Sequence, residues 1–115
     1  MEIVKAFAAR DFRETVVCLP DTIIGVASGI GGFGFTAAQL LNAQSCTISV
    51  LGTAINILTT GDGPTAIFGI YVGVGQTAEV VGNLDINRLQ LFSISGAAAY
   101  VTICLEWDLV PQGEG

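Results

Sequence analysis

The chain has 115 residues, of which 51% are apolar and 12% charged, with 15 glycines and no histidine; this suits one domain with a full core and excludes intrinsic disorder. Four Lys and Arg stand against ten Asp and Glu, a net charge of -6, so there is no basic patch to neutralise phosphates and the composition argues against nucleic acid as a partner. The absence of histidine removes the commonest general base and the commonest neutral metal ligand.

The N-terminal segment is the most charged part of the chain. Glu2, Lys5, Arg10, Asp11, Arg13, Glu14 and Asp21 make half of all formal charges. Val4, Ala6 and Ala8 alternate with Lys5 and Phe7, and Pro20 closes the run. Residues 2–19 therefore read as an extended segment, either an edge strand or an arm that pairs with a neighbour. The domain plan that follows is an N-terminal arm or edge strand over 1–21, a β-domain over 22–110 and a flexible tail over 111–115.

Next comes a strand-like Ile23-Ile24-Gly25-Val26, then Gly29-Ile30-Gly31-Gly32-Phe33-Gly34, which formally satisfies G-x-G-x-x-G. A dinucleotide site also needs a helix start, an acid about 20 residues on and a βαβ continuation. No acid follows before Asp62, so the glycines read as a flexible loop between strands. Residues 36–43 are the one stretch with helical character.

From Ser45 the pattern has period two. Cys46, Ile48 and Val50 share one face and Ser45, Thr47 and Ser49 the other, as in a half-buried strand. Gly52-Thr53 breaks the pattern before residues 54–59, which predicts a hairpin. Thr60-Gly61-Asp62-Gly63-Pro64-Thr65 is a loop. Further strands are expected over 67–74, 76–81, 87–94 and 98–107. In the last of these Val101, Ile103, Leu105 and Trp107 face one side, and Tyr100, Thr102, Cys104 and Glu106 the other. Short strands with glycine-bearing turns every eight to twelve residues predict an all-β, antiparallel sandwich or barrel.

Between positions 22 and 105 the only formal charges are Asp62, Glu79, Asp85 and Arg88. Such a surface is either covered or faces lipid. Residues 22–61 carry no charge, but Ser28, the glycine cluster, Gln39, Asn42, Gln44 and Ser45 interrupt them and no Lys or Arg flanks them closely, which argues against a membrane span. The early acids and the missing long apolar run also argue against a signal peptide.

The chemical inventory is thin. Cys18, Cys46 and Cys104 form no C-x-x-C pair. Zinc has no ligand set here, Cys46 is in phase with core residues, and the odd count points to a reducing compartment. A serine or threonine nucleophile lacks a base, and Asp62 and Asp85 both sit in loops where Asp is an ordinary turn former. One carboxylate in a Gly-Pro loop is no calcium cage. These readings give no catalytic, cofactor or metal residue. Trp107, Tyr71, Tyr100 and the six Phe read as core or interface anchors.

The stretch from Cys46 to Glu106 resembles a set of small β-sandwich virion proteins of tailed bacteriophages. The residues that carry the likeness are Thr47-Ile48-Ser49-Val50, Gly52-Thr53-Ala54-Ile55, Gly61-Asp62-Gly63-Pro64-Thr65-Ala66 with Gly69, Ile86 to Ile94, and Val101-Thr102-Ile103-Cys104-Leu105-Glu106. The chain departs from that pattern at Asn56, where Arg is frequent, and in the glycine-rich segment before Ala37. The resemblance implies a jelly-roll-like subunit, a cement or decoration protein on the phage head. Its partners would then be the major capsid protein and further copies of itself, as a dimer or trimer, on the virion surface after synthesis in the host cytoplasm. A neck or tail component is the neighbouring reading, and a carbohydrate- or receptor-binding module the alternative on the same fold.

The residues alone lead toward assembly as well, since a nearly uncharged β-domain is expected to bury much of its surface against partners. The candidate interface residues are Lys5, Arg10 and Arg13, which would meet an acidic capsid surface, and Phe12, Tyr71 and Tyr100 as aromatic anchors.

Overall fold

The computed structural model describes residues 10–19, 28–94 and 98–108. The expected strand at 23–26, the segment 2–9 with Lys5, and the tail 111–115 lie outside the described residues. The elements in chain order are β1 (Arg10–Leu19), β2 (Ser28–Gly29), a 3₁₀ turn (Ile30–Phe33), α1 (Ala37–Leu41), β3 (Ala43–Leu51), β4 (Ile55–Leu58), β5 (Ile70–Val72), β6 (Thr77–Val81), α2 (Asn83–Arg88), β7 (Gln90–Ser93) and β8 (Ala99–Asp108).

The strands form two antiparallel four-stranded sheets of order β1-β8-β3-β6 and β2-β7-β4-β5. The pairing is nested: β1 pairs with β8, β2 with β7, β3 with β6 and β4 with β5. The two sheets are further sewn by β3 against β8 and β4 against β7. The fold is an all-β sandwich, as the spacing of the strands predicts.

Alternation decides which side chains meet between the sheets. Cys46, Ile48 and Val50 of β3 and Val101, Ile103 and Leu105 of β8 are buried, and Ile48 lies opposite Ile103. Ile55 and Ile57 of β4, Val72 of β5 and Leu91 of β7 answer them from the second sheet. Each such side chain contributes roughly 1.5–3 kcal/mol by leaving water. Leu19, Leu89, Ile86, Ile30 and Phe35 extend this core, and Trp107 packs against it while half-buried.

Several expectations are corrected. Residues 45–59 form no hairpin: β3 and β4 lie in different sheets, so the chain between them crosses the sandwich, which lets both strands bury an apolar face. The strand expected over 67–74 shrinks to Ile70–Val72, and the one expected over 87–94 to Gln90–Ser93. Residues 83–88 are helical and carry Asp85 in the first turn of α2 instead of a loop. The glycine segment 29–34 is also not a free loop. Ile30 is buried and its N–H donates to Leu89 O at 3.1 Å, so the 3₁₀ turn is anchored on the core.

The expected helix is present as α1. Thr36 Oγ1 accepts from Gln39 N at 3.1 Å while Thr36 N donates to Gln39 Oε1 at 2.9 Å, a reciprocal capping box. Its other end is closed from α2. Asn83 Nδ2 donates to Leu40 O, Leu41 O and Ala43 O at 2.9, 3.0 and 3.1 Å, and Asn87 Nδ2 to Leu40 O at 3.0 Å. Carbonyls that a helix C-terminus leaves without partners are thereby satisfied, and the two short helices are locked together.

Candidate interaction surfaces

The outer face of the first sheet is an open lattice read directly from the register. Phe12, Glu106, Ser45 and Val81 form one row across it. Glu14, Cys104, Thr47 and Glu79 form the next, Val16, Thr102, Ser49 and Thr77 a third, and Cys18, Tyr100 and Leu51 the last. Ser45 Oγ donates to Glu106 Oε1 at 3.1 Å, and Ser49 and Thr77 hydroxyls lie 3.3 Å apart. Phe12, Val16, Leu51, Val81 and Tyr100 are exposed among these polar groups. The face is mixed, with its apolar groups at the margins.

The outer face of the second sheet is covered by its own chain at β4 and β7 and open at the β5 edge. Asn56 and Phe92 stand opposite each other on it and both are buried. The cover is the loop between β4 and β5. Pro64 is fully buried and Asn56 Nδ2 donates to Thr65 O at 2.7 Å. Gly69 closes the loop at φ +140, where a Cβ would lie 2.9 Å from Asn56 Cβ and 3.1 Å from Pro64 Cβ. Only glycine fits this conformation and this space. The Gly-Pro-Thr and following Gly of the sequence are thus the parts of a lid docked on Asn56.

Beyond the lid lies Ile67, the most exposed large apolar side chain among the described residues. Thr65 N donates to Phe68 O at 2.8 Å and Phe68 N to Thr65 O at 3.4 Å, which makes a tight two-residue turn of Ala66 and Ile67. Ile67 is 97% exposed at its tip, and Phe68, Ile70 and Tyr71 follow it in solvent. Among the described residues β5 is an edge strand, bonded to β4 only.

The expected interface residues divide accordingly. Arg10 begins β1 opposite Asp108. Phe12 is exposed on the outer face of β1. Arg13 turns the other way, donates to Gly34 O and holds its guanidinium 5.5 Å from the centre of the Phe35 ring, a cation–π contact that ties β1 to the end of the 3₁₀ turn. Tyr100 faces outward, as its phase predicts, but on the first sheet, whereas Tyr71 lies on the edge of the second. The two tyrosines form no common platform. The exposed Ile67 and Phe68 were hidden to sequence reading because an apolar run after a glycine loop reads as the start of a strand.

The three cysteines sit in three environments. Cys46 is buried, and burial followed by the neighbouring Cys104 pushes its thiol up to about 12. The Cys104 thiol is also raised, by burial first and then by Glu14 and Glu106. Cys18 is exposed. Among the described residues no three His, Cys, Asp or Glu side chains are grouped to hold a metal ion, and no buried side-chain polar atom lacks a hydrogen-bond partner. No helix among them is long and apolar enough to cross a membrane.

No protein-family model and no curated protein matches the chain. Among solved structures, it is similar to a chain from the work titled "Bacillus endospore appendages form a novel family of disulfide-linked pili", with 15% identity, a TM-score of 0.44, and coverage of 89% of this chain and 88% of that one.

Proposed function

We propose that the chain is a structural subunit that works by packing against other protein chains in a multi-copy assembly, and more narrowly that it is a cement or decoration protein of a phage head. In that role it clamps major capsid subunits on the virion surface. The observation that carries the reading is the uncharged apolar edge from Ile67 to Tyr71, held in solvent by a hydrogen-bonded turn on a docked lid. A folded domain that fixes such groups outward, with its charges elsewhere, is built to be covered.

The nested pairing of first strand with last supports a jelly-roll reading of the sandwich, since that nesting is a long antiparallel ribbon rolled on itself; viral shell subunits and lectins are frequent users of the architecture. The position of β1 at the edge of its sheet among the described residues supports the same role, because an edge strand can pair with a neighbouring chain.

The purified chain is expected to form a stable oligomer without ligand and to co-sediment with assembled shells but not with free capsid subunits. A monomer that never co-sediments with particles overturns the proposal. Filaments formed by the protein alone, seen by electron microscopy, would keep the structural-subunit reading and remove the cement role.

A further inference from the structure

Among the described residues the two sheets have four edge strands, and three of them carry a feature that discourages further pairing. β1 carries Arg10, Asp11, Arg13 and Glu14, β6 carries Glu79, and β2 is only two residues long. Charges and short strands are the ordinary protection of an exposed edge. β5 has the sequence Ile70-Tyr71-Val72 with neither charge nor proline. The whole stretch from Gly63 to Ala78 lacks a formal charge.

That edge is also rigidly presented. On one side the Thr65–Phe68 turn and the Gly69 contact with Asn56 and Pro64 fix the approach to the strand. On the other, Gly73 N donates to Gln76 Oε1 at 2.7 Å and Gln76 N to Gly73 O at 3.0 Å. Ile70 lies opposite Ile57 and Tyr71 opposite Asn56, so they belong to opposite faces of the strand, and both are exposed. A strand added at this edge would cover Ile70 on one side and Tyr71 on the other.

Building on the structural-subunit reading, we propose that β5 is the self-association edge of this protein: two copies pair their β5 strands antiparallel across a two-fold axis near Tyr71, joining the second sheets into one continuous sheet. Charge selects the occupant. The chain carries -6 overall and Gly63 to Ala78 holds none of its charges, so two copies that meet along β5 bring no like charges of that stretch together. A basic partner finds no acid in that stretch to recognise. An uncharged apolar edge is matched by another of its kind, and every copy brings one. A two-fold contact is self-complementary, which is why it is the commonest closed assembly, and the fixed strand loses little freedom on pairing.

Sedimentation velocity on the full chain tests this. The protein is expected to be a dimer, and Ile70→Lys is expected to raise the dissociation constant by more than about tenfold. Ile67→Lys should weaken the dimer in the same direction, and its side chain touches solvent alone, so its folding is not at stake. Phe12→Lys, on the first sheet, should leave the dimer unchanged. A benzophenone amino acid introduced at position 71 should cross-link to residues 67–72 of a second copy. A monomer, a trimer, a dimer indifferent to both lysines at 67 and 70, or cross-links from position 71 to the N-terminal segment or another face would each overturn the inference. A monomer that still binds assembled shells would overturn this inference and leave the proposed function standing.

Discussion

The two sheets are stabilised in different ways. The first is made of long strands whose alternation is complete: β3 and β8 pair from Ala43 to Leu51 with one face buried and the other open. The second is made of strands of two to four residues, too short to hold a register by side-chain pattern alone. It is stabilised from both faces, by the common core within and by the 59–69 lid outside. A long amphipathic strand carries its own instruction, whereas a short one depends on what the rest of the chain lays over it.

Truncation in the first sheet should have the largest effect. Ile103→Ala, at the buried centre of β8, is expected to cost about 2–5 kcal/mol, read from urea unfolding by circular dichroism. The lid of the second sheet should come next. Gly69→Ala forces a side chain into a left-handed conformation against Asn56 and Pro64, at about 1–3 kcal/mol. Asn56→Leu removes the shorter of the two hydrogen bonds to the Thr65 carbonyl, leaving the one from Phe68 N, at about 0.5–1.5 kcal/mol. Their combination should cost less than the sum, because both loosen the same loop. Full additivity would mean that the lid is not one unit, and the contrast between the sheets would then have to be redrawn.

A smaller effect appears at high pH. Burial raises the Cys46 thiol from its ordinary 9.0 to about 12, so the folded state holds a proton that the unfolded chain releases. The stability this provides is complete below pH 9 and is lost as the pH rises from 9 through 12. Cys46→Ala should flatten that alkaline decline in melting temperature relative to the parent. Alkylation kinetics at pH 8 should follow exposure, with Cys18 fastest, Cys104 slower and Cys46 slowest. The smallest effect is expected on the open face: Thr102→Ala should stay within about 0.5 kcal/mol. A cost comparable to that of Ile103→Ala would mean that the outer face of the first sheet is also covered.

The legible parts of the fold are those with period two and length. The faces of β3 and β8 follow directly from Cys46, Ile48 and Val50 and from Val101, Ile103 and Leu105, and α1 is visible in the helix formers of residues 36–43. The expected hairpin at 45–59 fails for a different reason. Two alternating strands separated by Gly-Thr look alike whether the chain turns back in the sheet or crosses to the opposite one, because both routes bury the same residues. α2 escapes because Asp85 reads as a loop residue and Asn87 as the start of a strand, and the use of Asn83 and Asn87, bonding the carbonyls that end α1, exists only when both helices are in place. Of the candidate interface residues, Phe12, Tyr71 and Tyr100 are at the surface, while Arg13 is taken up by Gly34 and Phe35.

By itself, the sequence determined the class of the fold, the inward and outward faces of its long strands and the scarcity of groups for acid–base chemistry or phosphate binding. These follow from composition and from alternation between neighbours in the chain. Only the tertiary structure decided that the loop carrying Pro64 docks as a lid over the buried Asn56, that the two tyrosines are on different sheets, and that the apolar run from Ile67 to Tyr71 is at an edge in solvent. Burial in a sandwich is set by which strand lies beside which, and that choice is made by contacts between residues far apart in the chain, which no local period records.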